Sequence, residues 1–368
     1  MLVPVDLRIH MLASMTSCLS WLQAPRFRRS TTILSALIVT IVTIVLLVNP
    51  ASDLKAIGQS KPAFEASGTG YPRCRDRPDA NITWPLESWR EAAETKFGGL
   101  MDNKFTIAMS TFHRPRELHR TLNTLLSTKI PSLHEIVVIW NNFDEKEPDS
   151  FVSEYGVVVR YRKPTRDSLN EKLWPDPKYK TKAILLSDDD VYYRPDDLEF
   201  VFQMWRNFGR DRMTGALARC ASALPSGQWD YNFCSQKEHQ DVYALILTNL
   251  AFTHIAFLDY YFSDDPAATK IRNYVDEAFN CEDIGLNFVA SMLTGSGPLL
   301  VRASGQYVNL DPSGGISRHP GHMEARSKCL NVFADAFGCM PLVDEVGRIE
   351  HGVKHNVWYK SVWNRIFG

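Results

Sequence analysis

The chain has 368 residues, 45% of them hydrophobic and 23% charged, with a formal net charge of -1 at pH 7. That length and balance suit one large or two small globular domains and exclude a disordered or low-complexity class. With so little net charge a nucleic acid polymer is not an expected partner, and any basic site must be local.

Residues 1–30 read as a cytosolic tail. Thr31–Val48 (TTILSALIVTIVTIVLLV) carries no charged residue, and at about 1.5 Å per helical residue it can cross the hydrocarbon core of a bilayer. Arg26, Arg28 and Arg29 precede it and Asp53 is the first charge beyond it, so the positive-inside rule puts the C-terminal bulk across the membrane. The expectation is a single-pass type II protein of the Golgi or endoplasmic reticulum with a lumenal domain. A cleaved signal peptide is the alternative, but the apolar run starts late and NPAS follows it in place of a small-x-small site. Residues 49–102, with Pro50, Pro62, Pro72, Pro78 and Pro85 and no sustained apolar period, are expected to form a stem. Asn81-Ile82-Thr83 is an N-glycosylation sequon. Cys74, Cys220, Cys234, Cys281, Cys329 and Cys339 follow the anchor, an even number that permits three disulfides in an oxidising lumen without fixing their pairing.

From residue 103 to 368 short apolar runs alternate with helical patterns. FTIAMS (105–110), HEIVVIW (134–140), GVVVRYR (156–162) and AILLSD (183–188) are predicted strands, and RELHRTLNTLLS (116–127) is a predicted helix. DDLEFVFQMWRNFG places Leu198, Val201, Phe202, Trp205 and Phe208 on one helical stripe, all expected in the core, with Gly209 as the stop. VYALILTNLAF (242–252), two helical segments near 271–279 and 282–293, LLVR (299–302) and a helix from His322 to Phe337 capped by Gly338 complete the domain. Alternation of this kind predicts an α/β fold, an open and mainly parallel sheet covered on both faces. Ligands bind such sheets beyond the carboxyl ends of the strands, where the chain puts Thr111 and Arg114, Asn141 and Asn142, and Asp188 to Asp190.

Three adjacent carboxylates closing the apolar run AILLSDDDV repel one another, so a positive partner is expected among them. Along an extended backbone Asp188 and Asp190 point to one side and Asp189 to the other. Hard oxygen donors of this kind select Mn2+ or Mg2+, and a site with one or two protein carboxylates leaves positions for water and substrate phosphates. A solvated acidic turn is the competing explanation. Likewise Asp283 could cap the helix that follows it, Arg326 could sit on a helix surface, His322 could be a partly buried histidine, and Asn141 with Asn142 could simply form a turn.

The stretches FTIAMSTFHRP, HEIVVIWNN, TRDSLNEKL, LLSDDDV, NCEDIGLNF and SGGISRHPGHMEARSKCLN occur in the order found in the C-terminal, family 64 glycosyltransferase domain of exostosins and exostosin-like N-acetylhexosaminyltransferases, which the sequence resembles over residues 103–345. The resemblance implies a GT-A fold, a Rossmann-like mixed sheet flanked by helices, and a UDP-sugar donor with Mn2+ (or Mg2+) at a DxD-type motif. It implies that Arg114 and Asn141 contact the nucleotide, with Asp167 and Lys172 near uridine and diphosphate. Asp188, Asp189 and Asp190 would hold ribose and metal, with Asp190 and Asp188 as metal ligands. Asp283 would be the catalytic carboxylate at the anomeric centre, as a nucleophile or as an electrostatic stabiliser, and Arg326 with His322 one turn earlier would meet the diphosphate. It also implies a Cys281–Cys329 disulfide and transfer of N-acetylhexosamine, with retention, to a glycan or glycolipid acceptor. Donors such as GDP-mannose with a sphingolipid acceptor, or an inactive glycan-binding homologue, are the alternatives. Relatives commonly carry Asn in place of Asp167 and Arg in place of Lys172.

Overall fold

The computed structural model describes residues 70–76, 86–234, 242–305, 307–310 and 320–352, all within the compact unit Glu65–Gly368. The expected anchor Thr31–Val48, its flanking arginines and the sequon at Asn81 lie outside the described residues. Among those described, no helix is long and apolar enough to cross a membrane.

A short turn at Cys74–Asp76 precedes α1 (Leu86–Phe97), β1 (Met101–Thr111), α2 (Pro115–Leu125), β2 (Leu133–Trp140), β3 (Phe151–Val152) and β4 (Val158–Arg162). A 3-10 turn at Leu169–Leu173 leads to β5 (Thr181–Asp188), β6 (Val191–Tyr192) and α3 (Pro195–Met204), which runs into a π-helical turn, Trp205–Gly209. Next come β7 (Thr214–Gly215), β8 (Ala218–Ala223), β9 (Trp229–Asn232), β10 (Leu245–Ile246), β11 (Leu250–His254), α4 (Ile255–Tyr261), α5 (Pro266–Ala278) and α6 (Glu282–Thr294). The described chain ends with β12 (Leu299–Arg302), β13 (Val308–Asn309), α7 (His322–Phe337) and β14 (Arg348–Glu350).

Nine strands form one mixed sheet in the order β14-β12-β7-β11-β5-β1-β2-β4-β3. Its centre, β5-β1-β2-β4, is parallel, while β11 runs against both β5 and β7. Near-continuous apolar runs make such strands because both faces must be covered. Ile107 and Met109 point into a core with Leu118 and Leu122 of α2 and Val201 and Phe202 of α3, whereas Ala108 and Val137 point into a second core with Ile284 and Phe288 of α6 and Phe333 of α7. The expected sheet is therefore present, and LLVR forms β12 over the predicted residues. Register sets Ser110 beside Asp188 and Thr111 beside Trp140, so the polar ends of three strands meet at one edge.

Two expectations are corrected. Part of the segment read as stem belongs to the domain: Cys74 is bonded to Cys339, Arg73 pairs with Asp344 at 2.7 Å, and α1 buries Trp89, stacked 4.7 Å from Phe257. Trp89 and Ala93 make an apolar stripe of only one turn, too short to stand out among the surrounding prolines. Phe208, expected in the core, is 60% exposed. The π-turn takes an extra residue per turn, which rotates Phe208 off the stripe that Leu198, Val201, Phe202 and Trp205 share.

Candidate active site

A cavity of about 710 Å3 opens over the carboxyl ends of β1 and β5 and the start of α6. All ten residues singled out from the sequence line it: Arg114, Asn141, Asp167, Lys172, Asp188, Asp189, Asp190, Asp283, His322 and Arg326.

β5 ends at Asp188 and the turn that follows carries Asp189 and Asp190, so the turn and not an extended strand divides the three aspartates. Asp189 turns inward and is held by the scaffold: Thr111 Oγ1 donates to its Oδ2 at 2.6 Å, its backbone N–H donates to Ser110 O at 3.0 Å, and Thr121 Oγ1 donates to its carbonyl at 2.7 Å. Burial raises its carboxyl to about 7, against the pull of Thr111 and Arg114. Asp188 and Asp190 face the cavity, with side chains 33% and 14% exposed against 2% for Asp189. Lys172 Nζ lies 2.8 Å from Asp188 Oδ1, and an Arg114 guanidinium nitrogen lies 2.9 Å from Asp190 Oδ2 and 3.4 Å from Asp189. Burial, then Asp188, raises the Asp190 carboxyl, and Arg114 only partly offsets them. The motif therefore keeps an uncompensated preference for more positive charge.

Arg114 reaches the aspartates because the chain turns sharply after β1. His113 adopts a left-handed φ of 50°, and its backbone N–H donates to Asn142 Oδ1 at 2.7 Å. Asn142 is thus the turn residue, while Asn141, whose Nδ2 donates to Ser110 Oγ at 3.0 Å, remains on the cavity wall. Lys172 comes from the 3-10 turn capped by Ser168. Burial works against its ammonium, but the Asp188 and Glu282 carboxylates outweigh that and hold it above the ordinary lysine range. A compact point charge satisfies two carboxylates here, so the bidentate fork of Arg is not needed.

On the facing wall Cys281 takes a left-handed φ of 76° just before α6, and its disulfide to Cys329 ties α6 to α7 as expected. Asp283 lies in the first turn of α6, where Cys281 and not Asp283 is the N-cap; its Oδ1 accepts the N–H of the next residue, Ile284, at 2.8 Å, and its Oδ2 accepts from Arg326. Arg326 is buried rather than on a helix surface, 6% exposed, with its guanidinium 4.3 Å from the Tyr231 ring and 3.3 Å from Asn280 Oδ1. Burial opposes its charge, but Asp283, then Tyr231, keeps it firmly protonated. His322 begins α7, with Nδ1 3.5 Å from Asn280 Nδ2.

Sequence reasoning missed Glu282, which is half-buried, 3.5 Å from Lys172 Nζ, and accepts from Thr248 Oγ1 at 3.3 Å. Burial, then Lys172 in opposition, sets its carboxyl above the usual range. The signal was present: two adjacent acids open an otherwise apolar helix. The hairpin β8–β9 was missed as well, and with it Arg219 and Tyr231 on the cavity wall; its two strands are too short to show a period. The Cys220–Cys234 disulfide closes this hairpin.

Among the described residues no group of three or more His, Cys, Asp or Glu forms a cage for a metal ion. The donor set does suit a divalent cation that completes its shell elsewhere: the ion pairs use one oxygen each of Asp188 and Asp190, and hard carboxylate oxygens with few protein ligands are what Mn2+ or Mg2+ takes beside a phosphate.

Residues 105–353 match the glycosyl transferase family 64 domain. The chain is 30% identical over 283 residues to human Exostosin-2, covering 72% of this chain and 38% of that protein. It is 30% identical over 251 residues to mouse Exostosin-like 2, covering 65% and 74%, and 34% identical over 262 residues to Glucosamine inositolphosphorylceramide transferase 1 of Arabidopsis thaliana, covering 70% and 32%. It thus spans well under half the length of the first and third of these relatives.

Proposed function

Because the chain belongs to the glycosyl transferase family 64, we propose that it moves an N-acetylhexosamine from a UDP-sugar to a glycan or glycolipid acceptor, on a GT-A-type domain tethered in the secretory-pathway lumen. Three disulfides among the described residues favour the oxidising compartment. The observation that carries the reading is one cavity in which two solvent-facing carboxylates, Asp188 and Asp190, stand across from a buried carboxylate–guanidinium pair, Asp283 and Arg326.

Glycosyl transfer puts positive charge on the sugar and negative charge on the departing diphosphate. A divalent cation at Asp188 and Asp190, when bound, supplies part of the charge that neutralises that diphosphate. Lys172 and Arg114 hold those two carboxylates in place, and Arg326 adds fixed positive charge from the other wall in a buried setting where it is worth more than in water. Asp283 is oriented by its ion pair with Arg326, so its carboxylate is held to face the anomeric carbon as positive charge develops there. The rigid support behind it, the Cys281–Cys329 disulfide and the hydrogen bond from the Ile284 N–H, means that little reorganisation is needed at the moment of reaction. The relative named for glucosamine transfer to inositolphosphorylceramide makes a glycolipid acceptor a natural candidate beside a glycan.

A donor screen tests this directly. Nucleoside diphosphate release in the presence of Mn2+ is expected from UDP-GlcNAc or UDP-GalNAc and not from GDP-mannose. Release from GDP-mannose alone would replace the donor, and release from none by a folded protein would leave a glycan-binding homologue.

A further inference from the structure

A second cavity, of about 670 Å3, lies at the other end of β5 from the aspartates. Lys182 lines it and Asp188 lines the first; six residues of strand put them about 20 Å apart at about 3.3 Å each. The second cavity is lined by five cations, Arg90, Lys182, Arg206, Arg210 and Arg212, but by only two carboxylates, Glu94 and Asp211.

Two of the acids that pair with these cations are shared. Asp211 serves both Arg90, at 2.9 Å, and Arg212, at 3.6 Å. Asp102 serves Arg206 and Arg210 at the long distances of 3.7 and 3.3 Å. Lys182 has Glu94 at 2.6 Å, Arg90 also reaches Glu87 at 2.9 Å, and Arg212 reaches Glu345 at 3.3 Å. A guanidinium carries five N–H donors, so shared carboxylates leave donors over; the buried Arg212 Nε, whose 3.6 Å approach to Asp211 is too long for a hydrogen bond, has no acceptor among the described residues.

His254 adds an inner donor. It is 6% exposed, lines the cavity, and its Nδ1 accepts the Ala256 N–H at 3.1 Å. The proton of the neutral ring therefore sits on Nε2, which leaves that nitrogen as the ring's donor. Burial, then Lys182 and Arg210, lowers this imidazole to about 3; the surroundings already carry a positive field.

We propose that this cavity is a second anion site, separate from the donor pocket, which takes a phosphate- or sulfate-type oxyanion between Arg206 and Arg210 with the His254 Nε2–H as inner donor. Arg206 and Arg210 are one turn apart, and paired guanidinium forks suit a tetrahedral oxyanion. The oxyanion can come from a free ion or from a lipid headgroup.

The test uses the full chain with UDP present to fill the donor pocket. Inorganic sulfate and a water-soluble short-chain phosphatidylinositol phosphate are titrated by calorimetry, and the His254 ring signals are followed by NMR. Saturable binding is expected, with a matching His254 shift, and Arg206→Glu with Arg210→Glu should weaken it at least tenfold while the thermal midpoint stays near that of the parent. Preference for the lipid analogue would assign the source to a headgroup, and equal affinity to the free ion. Binding that survives the double charge reversal, or an unmoved His254 signal in the parent protein at saturating probe, overturns the proposal; the second readout stands even if the double variant does not fold.

Discussion

Strand β5 has oppositely charged surroundings at its two ends. At the Asp188 end, acids face an open cavity and the scaffold supplies cations, Lys172 and Arg114, to hold them. At the Lys182 end, cations surround the cavity and the scaffold supplies acids, Asp102 and Asp211 shared between two cations each. The strand between them is the same buried apolar ribbon, Ala183 to Leu186, so the chemistry of each end is set by what the neighbouring loops deliver. Within the acidic end the same contrast recurs on a smaller scale: Asp189 is locked into the scaffold, whereas Asp188 and Asp190 are presented to solvent.

The most damaging way to disturb the acidic end is to orphan a buried charge. Arg326→Met leaves Asp283 buried without its guanidinium, which is expected to cost about 3–5 kcal/mol of stability and all measurable transfer; chemical denaturation and an activity assay check both. Asp190→Asn removes a presented carboxylate, so about 10²–10³-fold loss of cation-stimulated turnover is expected with the unfolding midpoint nearly unchanged. Should Asp190→Asn destabilise the protein as much as Asp189→Asn does, the division between locked and presented aspartates is wrong.

The basic end is tested by pH. His254 is neutral in the folded protein with its imidazole lowered to about 3, whereas an unfolded histidine titrates near 6.5. Between those values the unfolded state binds the extra proton, so stability falls as pH drops from about 6.5 towards 3. At pH 4.5 this amounts to about 3 kcal/mol, and His254→Asn, which keeps an acceptor for the Ala256 N–H, is expected to flatten that slope relative to the parent. The smallest effect belongs to a pair at neither cavity: Lys96→Ala, which breaks the ion pair to Asp259, is expected to change stability by less than about 1 kcal/mol.

How much of this could be read beforehand depends on how far apart the determinants lie in the chain. The parallel centre of the sheet was legible because each strand is a local apolar run, and the aspartates stood out because like charges ended one of those runs. The helix His322–Phe337 was legible down to its Gly338 cap, whose φ of 70° only glycine takes readily. By contrast α1 depends on packing against Phe257, some 170 residues away, and Phe208 depends on a π-turn that helical periodicity does not encode. Glu282 was hidden by its neighbour: Asp283 matched a family motif, and the partner of Glu282, Lys172, is distant in sequence. The basic cavity at the far end of β5 was only partly marked: Arg206, Arg210 and Arg212 cluster in RNFGRDR, but the rest of its lining comes from α1, β5 and β11.

The central claim is that the Asp188–Asp190 edge binds a sugar nucleotide through a shared divalent cation. Calorimetry of UDP binding to the full chain, with Mn2+ and then with the cation chelated, measures that linkage. The account predicts binding at least about tenfold tighter with Mn2+, a difference that Asp190→Asn removes; equal affinity in both conditions would contradict it.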